Sequence, residues 1–495
     1  MSNPSGQDRD SSSLVQEVVQ KLRNAAEIEQ QFMCMYLYGA FSIQKRYVNE
    51  QHVSPNAAQL EMTRRWANMI YSVARQEMEH LALVNNLLRS IGGAPYFARS
   101  NLVEKPFHKY HLGANPVRAG QTAVCASSTA PGKSSAINCD ELVPIPHDFV
   151  FSKFDLDAAR RWTCMEAPEC STLVAEDGSH FAEWCFRRKG AQKAMAAAPP
   201  PVEPGTIEEL YRELKGLFAR LPVSAFVNGA STQVVIEQQY DIYVFPVTDH
   251  ATANQAMSLI TEQGEGINAS PTYESHYHRF YDIVREWEKA GPVPAAWDLK
   301  HDPVRNDIED EYTGRVFELF NGAYETLLIM LTGLYATTNQ LPTSYPYLAP
   351  ALGMEAFAPF MTMVIRSLAE VLVQLRATDG RGGKPERVGP GFIVSDALNS
   401  ELRSPYVDGQ NGMAGQTLKP IFADIDYVIT RVEVFSQRLL GLINSGTRPP
   451  VVDPALADWV MQRMQYIQVN SHRIAINLRR IYQQNVFSAL QSDGY

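Results

Sequence analysis

The chain lacks most of the signatures that settle a protein's chemistry at a glance. It has no run of Lys and Arg, and its formal net charge is −10, from 44 basic against 54 acidic residues. Both argue against a nucleic-acid-binding surface, which needs a positive face for phosphates. It has no long apolar run either. The most apolar stretch, Thr326 to Ala336, is too short to span a bilayer and reads as a core helix. Met1 to Ser13 is polar, without the apolar centre of a secretory signal, so a cytoplasmic location is expected. No P-loop, Gly-x-Gly-x-x-Gly or Gly-x-Ser-x-Gly occurs in a usable setting. Cysteine is sparse, six in 495 residues, and four of them (Cys139, Cys164, Cys170, Cys185) fall in one region. Cys164 and Cys170 are spaced for neither a zinc knuckle nor a redox pair, so reduced thiols are expected. Cys34 lies in a helix and reads as core.

What is present is ordinary in bulk: 45% apolar and 20% charged residues, with length for two or three domains. The informative stretch is the helical run Ala57 to Ser90. Trp66, Ile70, Val73, Glu77, His80, Val84, Leu87 and Ile91 recur at spacings of three and four, the buried stripe of a helix. A carboxylate and an imidazole sit at its centre, three residues apart and therefore on one face. Charge is rarely buried unless paired or bound to metal.

The helix before it, Ser12 to Arg46, repeats the pattern. Its stripe is Leu14, Val18, Leu22, Ala25, Glu29, Phe32, Tyr36, Ala40, Ile43, interrupted by Glu29, whereas Glu27 falls about 200° away and reads as solvent-facing. Gly92, Gly93 and Pro95 stop the second helix. Residues 96–204 lose the helical period and read as an irregular insertion with a few short strands. Its aromatic residues, among them Phe149, Phe151, Phe154 and Trp162, predict that it is ordered, packs on the bundle and forms part of a substrate entrance, with a surface decoration or an oligomer contact as the other readings. A helix follows from Thr206, burying Leu210, Leu214, Leu217 and Leu221, then strand character over Gln233–Pro246. Next come a helix over Thr252–Gly264, leading into Glu265, and one from Pro271 to Lys289, whose stripe Tyr273, His276, Phe280, Ile283, Trp287 has His276 as its polar interruption. The second half predicts helices near Asp307–Thr338, Met354–Ala377, Thr417–Asn444 and Pro454–Gln484, a bundle that reads as structural, an interface or one wall of a pocket.

The expected fold is thus mainly α. A first helix pair (12–95), the insertion (96–204) and a second pair (205–290) make a four-helix bundle, and a C-terminal helical bundle (304–490) follows. Glu29, Glu77, His80, Glu262, Glu265 and His276 give four carboxylates and two imidazoles on four segments. That is the donor supply of a carboxylate-rich site in a helix bundle, for one or two non-haem iron ions or manganese. Singly, each has a plainer reading. Glu29 can be a buried acid paired with Arg or Tyr, Glu77 and His80 a hydrogen-bonded pair, and Glu262 and Glu265 decoration on a solvated helix end. Tyr36, Tyr273 and Phe280 line the pocket or simply pack it, and Tyr36 and Tyr273 are the catalytic candidates.

Glu29-Gln30-Gln31-Phe32, Tyr36-Leu37-Tyr38, Gln76-Glu77-Met78-Glu79-His80, Asn85 through Gly93, Glu262 through Gly266 and Ser275 through Phe280 resemble the ferritin-like family that includes the iminophenylpyruvate dimer synthases. The resemblance implies a ferritin-like fold and a place in bacterial secondary metabolism of the violacein and rebeccamycin type. It also implies an oxidoreductase that uses dioxygen or peroxide to oxidise or couple a small aromatic or amino-acid-derived metabolite. Tyr273 stands where ferritins carry the acid of a second Glu-x-x-His. The other class left open is a non-catalytic metal-holding or scaffold protein. The expected partner is a small molecule, not nucleic acid or membrane, with a homo-oligomer left open.

Overall fold

A computed structural model describes residues 6–45, 55–99, 142–144, 147, 149–168, 182–188, 207–227, 229, 233–239, 242–264, 274–340, 359–378, 386–407 and 417–492. Twelve α-helices and three two-stranded antiparallel ribbons occupy these residues, so the protein is mainly α. Helix α1 runs Gly6–Ser42 and α2 runs Ala57–Ser90. Asn56 starts α2 with a capping box: its side chain accepts from the Gln59 amide at 2.9 Å, and its own amide donates to the Gln59 side chain at 3.0 Å. Gly92, with φ 80°, leads the chain out of α2, as the glycine stop predicts.

The eight residues of the α2 stripe are all buried. Side chains such as Val73, Val84 and Leu87 each contribute about 1.5–3 kcal/mol when fully buried. That stabilisation holds Glu77 and His80 inside, where an unpaired charge would cost several kcal/mol. Helix α1 packs along α2, and Thr63 Oγ1 donates to the Gln44 carbonyl where the two helices meet.

Two further helix pairs pack on this one. They are α4 (Ile207–Arg220) with α5 (His250–Gly264), and α3 (Leu156–Met165) with α6 (His276–Ala290), and α5 also touches α6. Helix α3 corrects the reading of residues 96–204 as irregular. Asp155 caps it by accepting from the Ala158 amide at 2.8 Å, and Trp162, fully buried, stacks with Phe154 and meets Tyr36 edge-on at 5.2 Å. Gly39 of α1 gives Trp162 its place, because a Cβ there would stand 2.2 Å from the indole ring. Beside α3 the insertion forms the ribbon β1 (Leu142–Pro144) with β2 (Phe186–Arg188). The strand character of Gln233–Pro246 becomes β3 (Ile236–Gln239) with β4 (Ile242–Val244).

A second correction concerns cysteine. Cys164 and Cys185 form a disulfide, against the expectation of reduced thiols, because α3 and the turn Glu183–Cys185 bring together residues 21 apart in sequence. Cys34 is a buried free thiol, whereas Cys125, Cys139 and Cys170 lie outside the described residues.

The C-terminal half packs α7 (Glu311–Gln340) against a helix pair later in the chain. A π-helical turn, Phe360–Ile365, leads into α8 (Arg366–Leu372), and the short α9 (Asp396–Arg403) follows. Thr417–Leu418, expected to open a helix, pairs as β6 with β5 (Tyr406–Val407). Pro420, with no amide hydrogen to give a strand, then starts α10 (Pro420–Ala423). Asp424 caps α11 (Ile425–Asn444), and α12 (Ala457–Ser492) packs back along it. Helix α7 reaches the first bundle: the Tyr324 hydroxyl accepts from Gln30 at 2.8 Å, and Tyr335 donates to the Ala82 carbonyl at 2.9 Å. Glu27, read as solvent-facing, is only 3% exposed, which overturns that reading; Tyr96 and Arg99 of the chain after α2 lie near it. One apolar cluster runs from α1 to α12. No helix among the described residues is long and apolar enough to cross a membrane.

Candidate metal centre

Glu29, Glu77, His80, Glu166 and His276 converge between α1, α2, α3 and α6, and each is at most 2% exposed. Their donor atoms form two sets, Glu29 with Glu77 and His80, and Glu77 with Glu166 and His276. Glu77 belongs to both. Its Oε2 lies 3.2 Å from His80 Nδ1, its Oε1 lies 3.0 Å from His276 Nδ1, and His80 Nδ1 is 3.4 Å from Glu29 Oε2. His276 Nδ1 is also 3.6 Å from Glu166 Oε1, and the two imidazole rings stand 5.5 Å apart at 27°. Glu77 thus offers one oxygen to each donor set, as a carboxylate shared between facing helices of a bundle can.

The outer faces of both histidines are fixed by glutamines. His80 Nε2 lies 2.8 Å from Gln263 Oε1, and Gln263 is oriented by donating its amide to Glu79 Oε1 at 3.3 Å. His276 Nε2 lies 3.2 Å from Gln76 Oε1, which also accepts from Arg279 Nη1 at 2.9 Å. Arginine can only donate and an ionised carboxylate can only accept, so each glutamine turns its oxygen toward the ring. Both Nε2 atoms therefore carry hydrogen, and both Nδ1 atoms face carboxylates. In the neutral rings those Nδ1 atoms are lone-pair acceptors opposed to acceptor oxygens, a repulsion relieved by a cation or a proton between them. His276 Nδ1 makes no hydrogen bond at all. The residues fit a metal: the donors are hard oxygens plus imidazole, and the glutamines select the metal-binding tautomer.

Two tyrosines hold the outer acids. Tyr211 on α4 donates to Glu29 Oε1 at 2.5 Å, and Tyr36 on α1 donates to Glu166 Oε1. Burial first, and then the neighbouring acids, push both phenols well above their ordinary range, so they remain donors. Burial also raises Glu29 to about 7. It acts to raise Glu77 too, but His276 and His80 outweigh it and hold that carboxyl below its usual value.

The structure thus brings together Glu29, Glu77, His80 and His276, with Tyr36 at their edge. It does not bring Glu262, which is exposed. The buried face of α5 is Ala253, Ala256, Met257, Ile260 and Gly264, and Glu262 lies about 200° around from Ile260. The plainer reading, an acid on a solvated helix end, describes it. Gln263 and Gly264 approach the centre instead, and a Cβ on Gly264 would meet Glu166 Oε2 at 3.5 Å. Glu265 and Tyr273 lie outside the described residues. Glu166 was missed. Its signal exists, because Ala159, Trp162 and Glu166 repeat the pattern of an apolar stripe ending in an acid, but a ten-residue helix is too short for periodicity to stand out. An open groove of about 530 Å³, lined by Arg64, Arg65 and Glu274 among others, reaches Arg279, the residue that donates to Gln76.

A family model described as Ferritin-like matches residues 22–285. The chain is 23% identical over 419 residues to a dichlorochromopyrrolate synthase of Lentzea aerocolonigenes, covering 77% of this chain and 36% of that one. It is 23% identical over 400 residues to a 2-imino-3-(indol-3-yl)propanoate dimerase of Chromobacterium violaceum, covering 76% and 34%. The chain spans about a third of the length of these curated relatives. A crystal structure of a ferritin-like protein from Caulobacter vibrioides aligns with a TM-score of 0.40 at 17% identity, over 71% of this chain and 93% of that one. The family match runs through every donor of the centre, from Glu29 to His276, and the chain belongs to the Ferritin-like family.

Proposed function

We propose that the protein is a non-haem metalloenzyme of secondary metabolism that oxidises or oxidatively couples a small aromatic, amino-acid-derived metabolite, in the manner of an iminophenylpyruvate dimer synthase. The observation that carries this is Glu77, whose two oxygens serve two histidines, with Glu29 and Glu166 outside them. The names of the two relatives, one an indole-imine dimerase, support the substrate class. Iron is the ion the reading favours, with manganese as the other, and one or two ions per chain. Bound there, it would supply activation of dioxygen or peroxide. Joining two such molecules through a new carbon–carbon bond breaks one bond to hydrogen on each and releases two protons and two electrons, which that oxidant takes up.

The remaining work belongs to side chains. Glu29, Glu77 and Glu166 supply the negative charge that holds a cation in a dry core. Gln76 and Gln263 keep the Nδ1 lone pairs of His276 and His80 aimed inward. Tyr36 and Tyr211, protonated and bonded to the outer acids, fix the orientation of Glu166 and Glu29, and Tyr36 holds a transferable proton at that edge. Phe280 and Trp162 pack on the ring of Tyr36 and exclude water from that side.

The test is iron loading under anaerobic conditions, followed by metal analysis, an optical spectrum and oxygen uptake with indole- and phenyl-derived imines. Iron bound without a haem band, and substrate-dependent oxygen uptake, are expected. A chain that takes up no metal, or a product formed equally fast without oxygen or peroxide, would overturn the reading.

A further inference from the structure

Arg99 lies nine residues beyond the end of α2, and its side chain is only 1% exposed. Of its guanidinium nitrogens Nη1 is hydrogen-bonded to Gln31 Oε1 at 3.3 Å, and the Tyr324 hydroxyl and the Cys34 thiol also interact with the group. Nε and Nη2 have no partner, and neither does Gln30 Oε1 nearby on α1. Those two nitrogens form the side-on edge with which arginine grips a carboxylate through two parallel bonds. No carboxylate of the described residues forms an ion pair with this guanidinium, and Glu27 only attracts it from a distance. Nor does a neighbouring group supply a charge: burial pushes both the Cys34 thiol and the Tyr324 phenol up, which keeps them neutral.

An arginine remains charged wherever it sits, and a buried charge persists when something pairs with it. Orphaned buried donors mark the place of a missing partner. Here the surroundings describe that partner. The guanidinium carbon lies 5.9 Å from the Phe151 ring centre and 5.6 Å from that of Tyr324, and Phe392 meets both rings, at 5.8 and 5.2 Å. The Tyr324 hydroxyl, held by Gln30 at 2.8 Å and 3.4 Å from Cys34 Sγ, is a further polar group at the spot. Gln30 follows Glu29 on α1, turned from it by about 100°, so this cluster adjoins the metal centre across the width of one helix.

We propose that Arg99 is the anchor for the carboxylate of an aromatic carboxylic acid, with Nε and Nη2 taking its two oxygens and Phe151, Tyr324 and Phe392 receiving the ring. The anion site stands on the guanidinium and its neighbours. The identity of its ligand as the substrate rests on the function proposed above.

The probe is indole-3-propanoate, titrated into the purified protein by calorimetry, with its uncharged primary amide as control and metal content measured in every sample. Wild type should bind the acid and not the amide. Arg99→Gln should weaken the acid about 10- to 100-fold, the range of a charge-assisted pair, with metal content unchanged. Arg99→Lys should recover only part, because a point charge replaces the fork. The side chain can be changed without losing the local fold, since Asn399 holds this residue through its backbone, accepting from the amide at 3.1 Å and donating to the carbonyl at 2.6 Å. Tyr324→Phe is a second variant that keeps the ring and should weaken the acid more modestly. Equal binding by Arg99→Gln, equal binding of the amide, or displacement of the acid by chloride alone at matched concentration would overturn the anchor. Acid bound through Arg99 in a protein that consumes no oxygen would sink the proposed function and leave the anchor standing.

Discussion

Tyr36 on α1 donates its phenolic hydrogen to Glu166 at the end of α3, across 130 residues of sequence. The bond ties the insertion to the bundle at the candidate metal centre. A segment expected to line an entrance thereby supplies one of the buried acids.

The first prediction follows from that bond. Glu166→Ala should lower the metal bound per chain, because it weakens one of the two donor sets while leaving Glu29, Glu77 and His80 intact. Glu262→Ala should leave metal content unchanged, since that side chain is exposed. Metal analysis beside circular dichroism of each variant checks both. Full metal retention in Glu166→Ala would remove Glu166 from the centre.

The glutamines give a second. Gln76→Leu or Gln263→Leu should weaken metal binding about 10- to 100-fold, the usual effect of losing the partner that orients a histidine ligand. Each also leaves a buried imidazole N–H unpaired, at about 1–3 kcal/mol of stability in the metal-free protein. Competition with a chromogenic chelator measures the first effect and urea denaturation the second. Unaltered affinity in both variants would mean that the tautomers are set in some other way.

Acidity should act through the same groups. In the metal-free chain burial disfavours charge on His80 and His276, but the carboxylates beside them outweigh it and hold both above the ordinary 6.5. Their charged forms stabilise the fold below about pH 6.5, and that contribution disappears as the pH rises through their raised values. Glu29 acts in the same direction. Raised from 4.5 to about 7, it keeps a proton the unfolded chain has already released, so stability falls across that interval. Metal binding displaces these protons and should be tighter at higher pH. Melting of the metal-free protein from pH 5 to 8 should show a decline that is smaller in Glu29→Gln, and loading with Mn²⁺ in weak buffer should release protons. A metal-free protein that grows more stable from pH 5 to 7 through Glu29 would contradict the assignment.

The disulfide gives a fourth. Cys164 stands two residues before Glu166, and its bond to Cys185 closes a loop of 21 residues. Cys164→Ser with Cys185→Ser should cost about 3 kcal/mol, the chain-entropy value for a loop of that size. It should also loosen the second donor set before the first. Denaturation midpoints with and without reductant read the stability, and metal stoichiometry in the same samples reads the site. Identical midpoints would show that this link carries no stability.

Much of this protein is written locally. The stripe of α2 alone put Glu77 and His80 side by side and inside, because a helix repeats every 3.6 residues and apolar positions at that period must be buried. The same periodicity made Glu29 and His276 candidates, and Gly92, Gly93 and Pro95 marked the end of α2. Periodicity reports which face of one helix is apolar; it does not report what lies against the other faces. Glu27 sits on a polar face of α1 and is nonetheless buried, with Tyr96 and Arg99 from the chain beyond α2 close enough to feel its charge. Glu262 belongs to a helix that does reach the centre, yet the phase of α5 turns it to solvent and presents Gln263 instead. Glu166, the Cys164–Cys185 bond and the unpaired edge of Arg99 depend on chain segments far apart in sequence meeting at one place. The sequence by itself determined a helical bundle with acids and histidines turned inward. Which of them meet was decided by tertiary packing, because a donor set is a relation between helices and no single helix contains it.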